Sequence, residues 1–226
     1  MNKAIFQTRD AVTLIGAGRV QAQSLQAAVA LAPRIVAADG GADLALDHGL
    51  SPEAVIGDFD SLSGRVRQAV PSRHLHQISE QDSTDFDKAL RSIDAPVIIA
   101  VGFDGDRMDH VLASFNVLVR RAHTRCVMAL ESQVAFLCPP NLTLPLEAGT
   151  LVSLFPMAAT QGRSEGLEWP IDGLDFAPDG RVGTSNRALG AIRLEMQAPS
   201  MLVILPLAAL GTVVRALGSA DGWPAL

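Results

Sequence analysis

The stretch AVIGDFDSLS, residues 54–63, sets Asp58 and Asp60 two positions apart directly after a short apolar run. Acids at that point add nothing to a core, so their placement asks for a chemical reason. Aspartate recurs in comparable settings: Asp39 in AADGGAD, Asp82 and Asp85 in QDSTDFDKAL, and Asp104, Asp106 and Asp109 in GFDGDRMDH. Any one of them alone fits a turn former or a helix N-cap. Gathered together without a cation, they would repel and raise one another's pKa. The economical resolution is a hard divalent ion with oxygen ligands, most commonly Mg²⁺ shared with a phosphate chain. No His/Cys cluster competes for a softer metal. Such a set suits phosphoryl-type transfer, where positioning and charge neutralisation do most of the work.

The residues around these acids fit phosphate handling. Gly40 and Gly41 follow Asp39 and let a backbone approach a ligand closely before a helix begins, although a tight turn has the same composition. GAGRVQ, residues 16–21, has Gln21 where a dinucleotide fingerprint needs its third glycine, and no GxxxxGK[ST] occurs. In STDFDKAL, Thr84 is a plausible N-cap with Asp85 and Asp87 in the first turn. Lys88 shares a helix face with Asp85, placed either to meet a phosphate oxygen or to form a surface ion pair. In RMDH, residues 107–110, Arg107 suits a phosphate and Asp109 a metal or a cap. His110 reads as a packed or capping histidine, since nothing nearby forms a nucleophile–base pair.

The elements that must position these groups read as strand–turn–helix units. Strand, glycine turn and helix follow in order over 11–32 and again over 34–46; 54–61 reads as a third strand, 74–93 as a short strand-like piece leading into a helix, and 95–122 as strand, loop and long helix. Continuous Val/Ile-rich runs alternating with helices indicate a doubly wound, mostly parallel α/β sheet. In such a sheet the loops after the strands gather along one edge, which would collect the scattered aspartates. From about residue 133 the pattern changes to short apolar runs broken by Pro and Gly, with period-two alternation in IRLEMQ. The expected organisation is an α/β catalytic domain over 1–132 and an all-β sandwich domain over 133–226, with no strongly amphipathic helix in the second.

Composition bounds the rest. With 226 residues, 48% of them hydrophobic, the chain can bury a real core. Its net charge of −6 argues against a nucleic-acid partner. Cys126 and Cys138 read as packed, reduced thiols. The absence of a signal-like N-terminus or a long apolar span leads us to expect a cytoplasmic protein without membrane contact.

Together, ADGGAD, GDFDS, QDSTDFDKAL and DRMDH, with GLEW (166–169) and TSN (184–186) further on, resemble the thiamine pyrophosphokinases over nearly the whole chain. The resemblance implies a homodimer that moves a pyrophosphoryl group from ATP to the hydroxyl of thiamine, giving thiamine diphosphate and AMP. It implies Asp58, Asp60 and Asp85 as Mg²⁺ ligands, with Asp109 nearby, and Gln81, Asp82, Thr84 and Lys88 facing the diphosphate or the acceptor hydroxyl. Asp39 and Arg107 would help bind ATP, with Gly40 beside them. Trp169, Ser185 and Asn186 would line the thiamine site, where Trp169 could stack on a thiamine ring or be ordinary sandwich core. Asp82 is the candidate general base. Asp106 stands where the family usually has glycine, and the C-terminal segment after Pro206 departs from the family's pattern. Alternatives are a pyrophosphokinase for a pterin alcohol, a non-catalytic nucleotide or thiamine sensor, and a metal-dependent phosphohydrolase.

Overall fold

A computed structural model of the chain describes residues 4–105 and 107–224. Asp106, the departure noted above, lies outside the described residues. The chain divides into two compact units, Met1–Val117 and Leu118–Leu226.

The first unit contains β1 (Phe6–Gln7), β2 (Val12–Ile15), α1 (Ala22–Leu31), β3 (Arg34–Ala38), α2 (Gly41–Asp47), β4 (Ala54–Gly57), α3 (Gly64–Ala69), β5 (Leu75–Gln77), α4 (Asp85–Ser92), β6 (Ile93–Asp94) and β7 (Ile98–Val101), and the start of α5 (Met108–Arg120). Its main strands run in the order β7-β2-β3-β4-β5, all parallel. Every residue of β2, β4 and β7 is buried, which is why these segments read as unbroken apolar runs. A separate two-stranded parallel pair, β1 with β6, brings Phe6 opposite Ile93. Because the five main strands point the same way, the chain leaves all of them along one edge, and the aspartates follow from that edge.

The third strand is shorter than its sequence pattern suggested. β4 ends at Gly57, and Phe59 has a φ of 70°. The alternation that would put Asp58 and Asp60 on one side of a strand therefore does not extend to them. Left-handed backbone is costly for a bulky aromatic residue. The ring is compensated by packing against a buried cluster that includes Ala37, Val55 and Val66. The Arg67 guanidinium lies over the ring, 5.8 Å from its centroid.

The second unit carries β8 (Cys126–Ala129), β9 (Gln133–Leu137), β10 (Asn141–Leu144), β11 (Leu151–Pro156), β12 (Gly162–Leu167), β13 (Gly183–Met196), β14 (Met201–Pro206) and α6 (Leu210–Ser219). Antiparallel ladders join them in the order β10-β13-β11-β14-β9-β8, and β12 also pairs with β13. In the long strand β13, Asn186, Ala188, Ile192, Leu194 and Met196 are buried between exposed or half-buried neighbours, the alternation of a half-covered strand.

One expectation is corrected here: the second unit is not all-β. α6 buries Leu210, Val213 and Leu217, a single helical face. Gly211, Thr212, Val213 and Val214 are poor helix formers, so local propensity hid this helix and packing decides it. Cys126 and Cys138 are buried free thiols, and burial pushes both thiol pKa values up. Among the described residues, no helix is long and apolar enough to cross a membrane.

Candidate active site

Three carboxylates from successive strand exits meet in the first unit. Ligand oxygens of Asp39, Asp58 and Asp85 all lie within 4.8 Å of one another. Asp39 follows β3 with a φ of 42°, a left-handed conformation that aspartate tolerates better than most residues. It is 3% exposed. Its Oδ2 accepts from the Ser61 amide at 3.1 Å, whereas its buried Oδ1 has no hydrogen-bond partner. Asp39 and the β4 exit approach this closely because residue 57 is glycine: a Cβ there would lie 2.7 Å from the Asp39 Cβ.

Asp58 sits in a loop held by its own backbone. The Asp60 amide donates to Asp58 Oδ1 at 3.1 Å, and Gln77 Nε2 donates to the Asp58 carbonyl at 2.8 Å. Asp85 opens α4, whose N-cap is Thr84; the Thr84 hydroxyl accepts from the Asp87 amide at 3.3 Å. One turn on, Lys88 is 1% exposed and donates through Nζ to Asp58 Oδ2 at 2.7 Å and to Asp85 Oδ1 at 3.2 Å. The hydrogen bond from Lys88 holds the Asp58 carboxyl below the usual carboxylate range against the opposing effect of burial. Burial works against the Lys88 ammonium, but its bonds to Asp58 and Asp85 prevail and its pKa is raised. The ion pair considered for Lys88 does form, with the lysine end buried and Asp85 about a third exposed.

These groups line a cleft of about 370 Å³ whose walls also include Gly16, Gly18, Gly40, Thr84, Gly102, Phe103, Arg107 and His110. The glycines serve packing first. A Cβ on Gly16 would lie 2.5 Å from the Gly102 carbonyl oxygen, so the exits of β2 and β7 touch backbone to backbone. Phe103 stacks obliquely on Phe86, with centroids 4.4 Å apart, and so ties the β7 exit to the first turn of α4.

Of the residues singled out from the sequence, Asp39, Gly40, Asp58, Thr84, Asp85, Lys88 and Arg107 line this cleft. Asp60, Gln81 and Asp82 are exposed, and Asp60 lies outside the carboxylate group. Asp109 is exposed and pairs with Arg107 at 2.6 Å. His110 is exposed at the cleft wall, so the packed reading of it does not hold. Phe103 and Ser61 escaped notice in the sequence. The only available signal was an aromatic and a hydroxyl directly after strand exits, too common a pattern to single out.

In the second unit Trp169 is 54% exposed, which removes the ordinary-core reading of that residue. Asn186, 6% exposed, donates from Nδ2 to the Trp169 carbonyl at 2.7 Å. Its Oδ1 accepts from the amides of Trp169 at 3.2 Å and Arg187 at 2.8 Å. β12 ends at Leu167, and past that point the Asn186 side chain stands in for a strand partner. Ser185 is exposed, with a φ of 64° and its amide donating to Ser153 Oγ at 3.0 Å.

The donor set of the first unit suits a hard divalent ion. It offers carboxylate oxygens only, one of them buried and unpartnered, and Lys88 leaves the three acids with uncompensated negative charge.

Comparison with known proteins points to one enzyme family. Residues 25–130 match the family model for the thiamin pyrophosphokinase catalytic domain. The thiamine pyrophosphokinase of Bacillus subtilis (strain 168) is 34% identical over 102 residues, 42% of this chain and 47% of that protein. Thiamine pyrophosphokinase 1 of Oryza sativa subsp. japonica is 27% identical over 154 residues, 60% of this chain and 58% of that protein. The match thus spans less than two thirds of either relative. Among solved structures, the thiamin pyrophosphokinase from Candida albicans superposes with a TM-score of 0.73 at 18% identity, covering 90% of this chain and 93% of that one. The enzyme from Geobacillus thermodenitrificans gives 0.72 at 21%, covering 87% and 97%. At these identities the superpositions establish a shared mixed α/β fold with a large sheet. Over residues 25–130 the chain is similar to the thiamin pyrophosphokinase catalytic domain.

Proposed function

We propose that this chain transfers a pyrophosphoryl group from ATP to the hydroxyl of thiamine, giving thiamine diphosphate and AMP. The observation that carries the reading is the Asp39–Asp58–Asp85 group with buried Lys88, set in the cleft of a domain that matches this family. In the transfer, the thiamine hydroxyl oxygen bonds to the β-phosphorus as the bond from that phosphorus to the α,β-bridging oxygen breaks. AMP leaves and the hydroxyl proton passes to a base. A Mg²⁺ ion held by Asp39, Asp58 and Asp85 would neutralise phosphate charge during this step. Asp60 contributes through its amide, which fixes Asp58.

Lys88 and Arg107 supply positive charge to the phosphates, with Thr84 and Gly40 beside them, Gln81 exposed three residues ahead of Thr84, and Asp109 orienting Arg107. For the base we keep Asp82, exposed two residues ahead of the helix cap Thr84. Trp169, Ser185 and Asn186 form the thiamine side, with Asn186 holding the Trp169 backbone so that its indole is presented to a cationic ring.

The same reading takes residues 1–132 as a doubly wound catalytic domain and 133–226 as a β-sandwich bearing the thiamine site. It also takes the protein as a cytoplasmic homodimer. The exposed Trp169 and Leu189, 54% and 64% accessible, support a partner surface on the second unit.

The deciding experiment incubates purified protein with ATP, MgCl₂ and thiamine and follows the adenine products. Equal amounts of AMP and thiamine diphosphate are expected. ADP as the product, or phosphate release that does not need thiamine, overturns the proposal.

A further inference from the structure

We propose that Lys88 is the resident counter-cation of the Asp39–Asp58–Asp85 group, and that a divalent ion binds there by exchange, the ammonium giving up Asp58 or Asp85. The inference rests on the reading above that this group takes the ion.

Lysine is almost never fully buried unless paired, and here the Lys88 side chain is 1% exposed and donates to two acids of the group. It also stands in the first turns of α4, where the helix dipole disfavours a cation. The carboxylates therefore hold it against two adverse effects. In return it screens acids that would otherwise repel one another at close range. Asp39 makes no bond to Lys88 among the described contacts: its buried Oδ1 has no partner, and its carboxylate belongs to a group that still carries excess negative charge.

A divalent ion and an ammonium cannot share these oxygens without strong repulsion, so ion binding displaces at least one Nζ contact. Lys88 lines the cleft, so the freed ammonium can turn to a phosphate oxygen. The exchange makes the ion alone bind weakly and makes it bind better together with a nucleotide, which gives Lys88 a new partner.

Lys3 and Lys88 are the only lysines, which makes the ammonium directly observable. The ¹⁵Nζ resonance of Lys88, assigned with a Lys3→Arg variant, is followed in the wild type as Mg²⁺ is added without nucleotide. In parallel, Mn²⁺ affinity without nucleotide is read from the free-ion EPR signal for the wild type and Lys88→Met. We expect the Lys88 resonance to move in step with Mg²⁺ stabilisation of thermal unfolding, and Lys88→Met to bind Mn²⁺ at least about tenfold more tightly. An unmoved resonance with Mg²⁺ bound, or an affinity in Lys88→Met no higher than wild type, overturns the exchange and leaves the ion site standing. Absence of ion binding by both proteins overturns the exchange and the ion site together. If Lys88→Met does not fold, the wild-type resonance decides alone.

Discussion

The cleft of the first unit and the Asn186 clamp of the second treat buried polar groups in opposite ways. Asn186 spends its side-chain amide on backbone: Oδ1 accepts two amides and Nδ2 reaches the Trp169 carbonyl. Those three bonds use all but one of the side chain's hydrogen-bonding positions. In the cleft, Asp39 Oδ1 is buried with no partner, and a lysine is buried among acids with negative charge left over. A buried polar group without a partner costs about 1–3 kcal/mol, more when charged, so such an arrangement persists where a ligand completes it. The difference separates scaffold from site: a satisfied network holds a shape, and an unsatisfied one waits for charge.

The comparison breaks first if Asp58→Asn leaves activity near normal. We expect thiamine diphosphate formation to fall at least about a thousandfold, with a cooperative thermal melt retained. Asn186→Ala tests the other side. It removes three part-buried hydrogen bonds to backbone and should cost about 1–3 kcal/mol in denaturant unfolding. A loss below about 0.5 kcal/mol would mean that the clamp is not structural.

How far the sequence announced this division depends on the residue. The strands β2, β4 and β7 are legible because they are buried on every position, and Thr84 is legible because a cap depends on local chain chemistry. Asp58, Asp85 and Lys88 stood out as a set for the same reason: each lies at a recognisable strand exit or helix start. Asp39 was legible as an acid at the same sheet edge but was assigned to ATP; its close approach to Asp58 was hidden, because it depends on a left-handed backbone and on a glycine at 57 that lets two loops touch. Asp60 looked equivalent to Asp58 only while the strand was taken to continue; the turn at Phe59 ends the alternation. The commitment of Asn186 to backbone was hidden as well, since it arises where β12 runs out of ladder partner.

Phe59 sharpens the comparison at smaller scale, because its backbone strain sits beside the site. Phe59→Gly and Phe59→Ala both lose the ring's packing, but only glycine relaxes at a φ of 70°. Glycine should therefore be the more stable of the two variants by about 1 kcal/mol in thermal or urea unfolding. Equal stabilities would mean that the turn is not strained.

The smallest effect belongs to an ion pair of the ordinary kind. Arg34 holds Glu53 through two contacts of 2.6 Å, both side chains about a third exposed. The hydrogen bond from Arg34 lowers the Glu53 pKa, so the pair's contribution is present above the unfolded carboxylate pKa and is lost as pH falls through the folded one. Solvent screening keeps it below about 1 kcal/mol. Glu53→Gln should therefore melt slightly below wild type at pH 7, with the gap closing below about pH 4. A gap that stays constant down to pH 3 would remove the ion pair as its cause.

The most direct measurement of the central claim is anomalous diffraction from crystals of the protein soaked in Mn²⁺. The account predicts one peak within ligand distance of carboxylate oxygens of Asp39, Asp58 and Asp85, about 2.1–2.3 Å for an oxygen-bound divalent ion of this size. A peak on Asp60 or Asp109 with this group empty, or no peak at a concentration that saturates binding in solution, would contradict it.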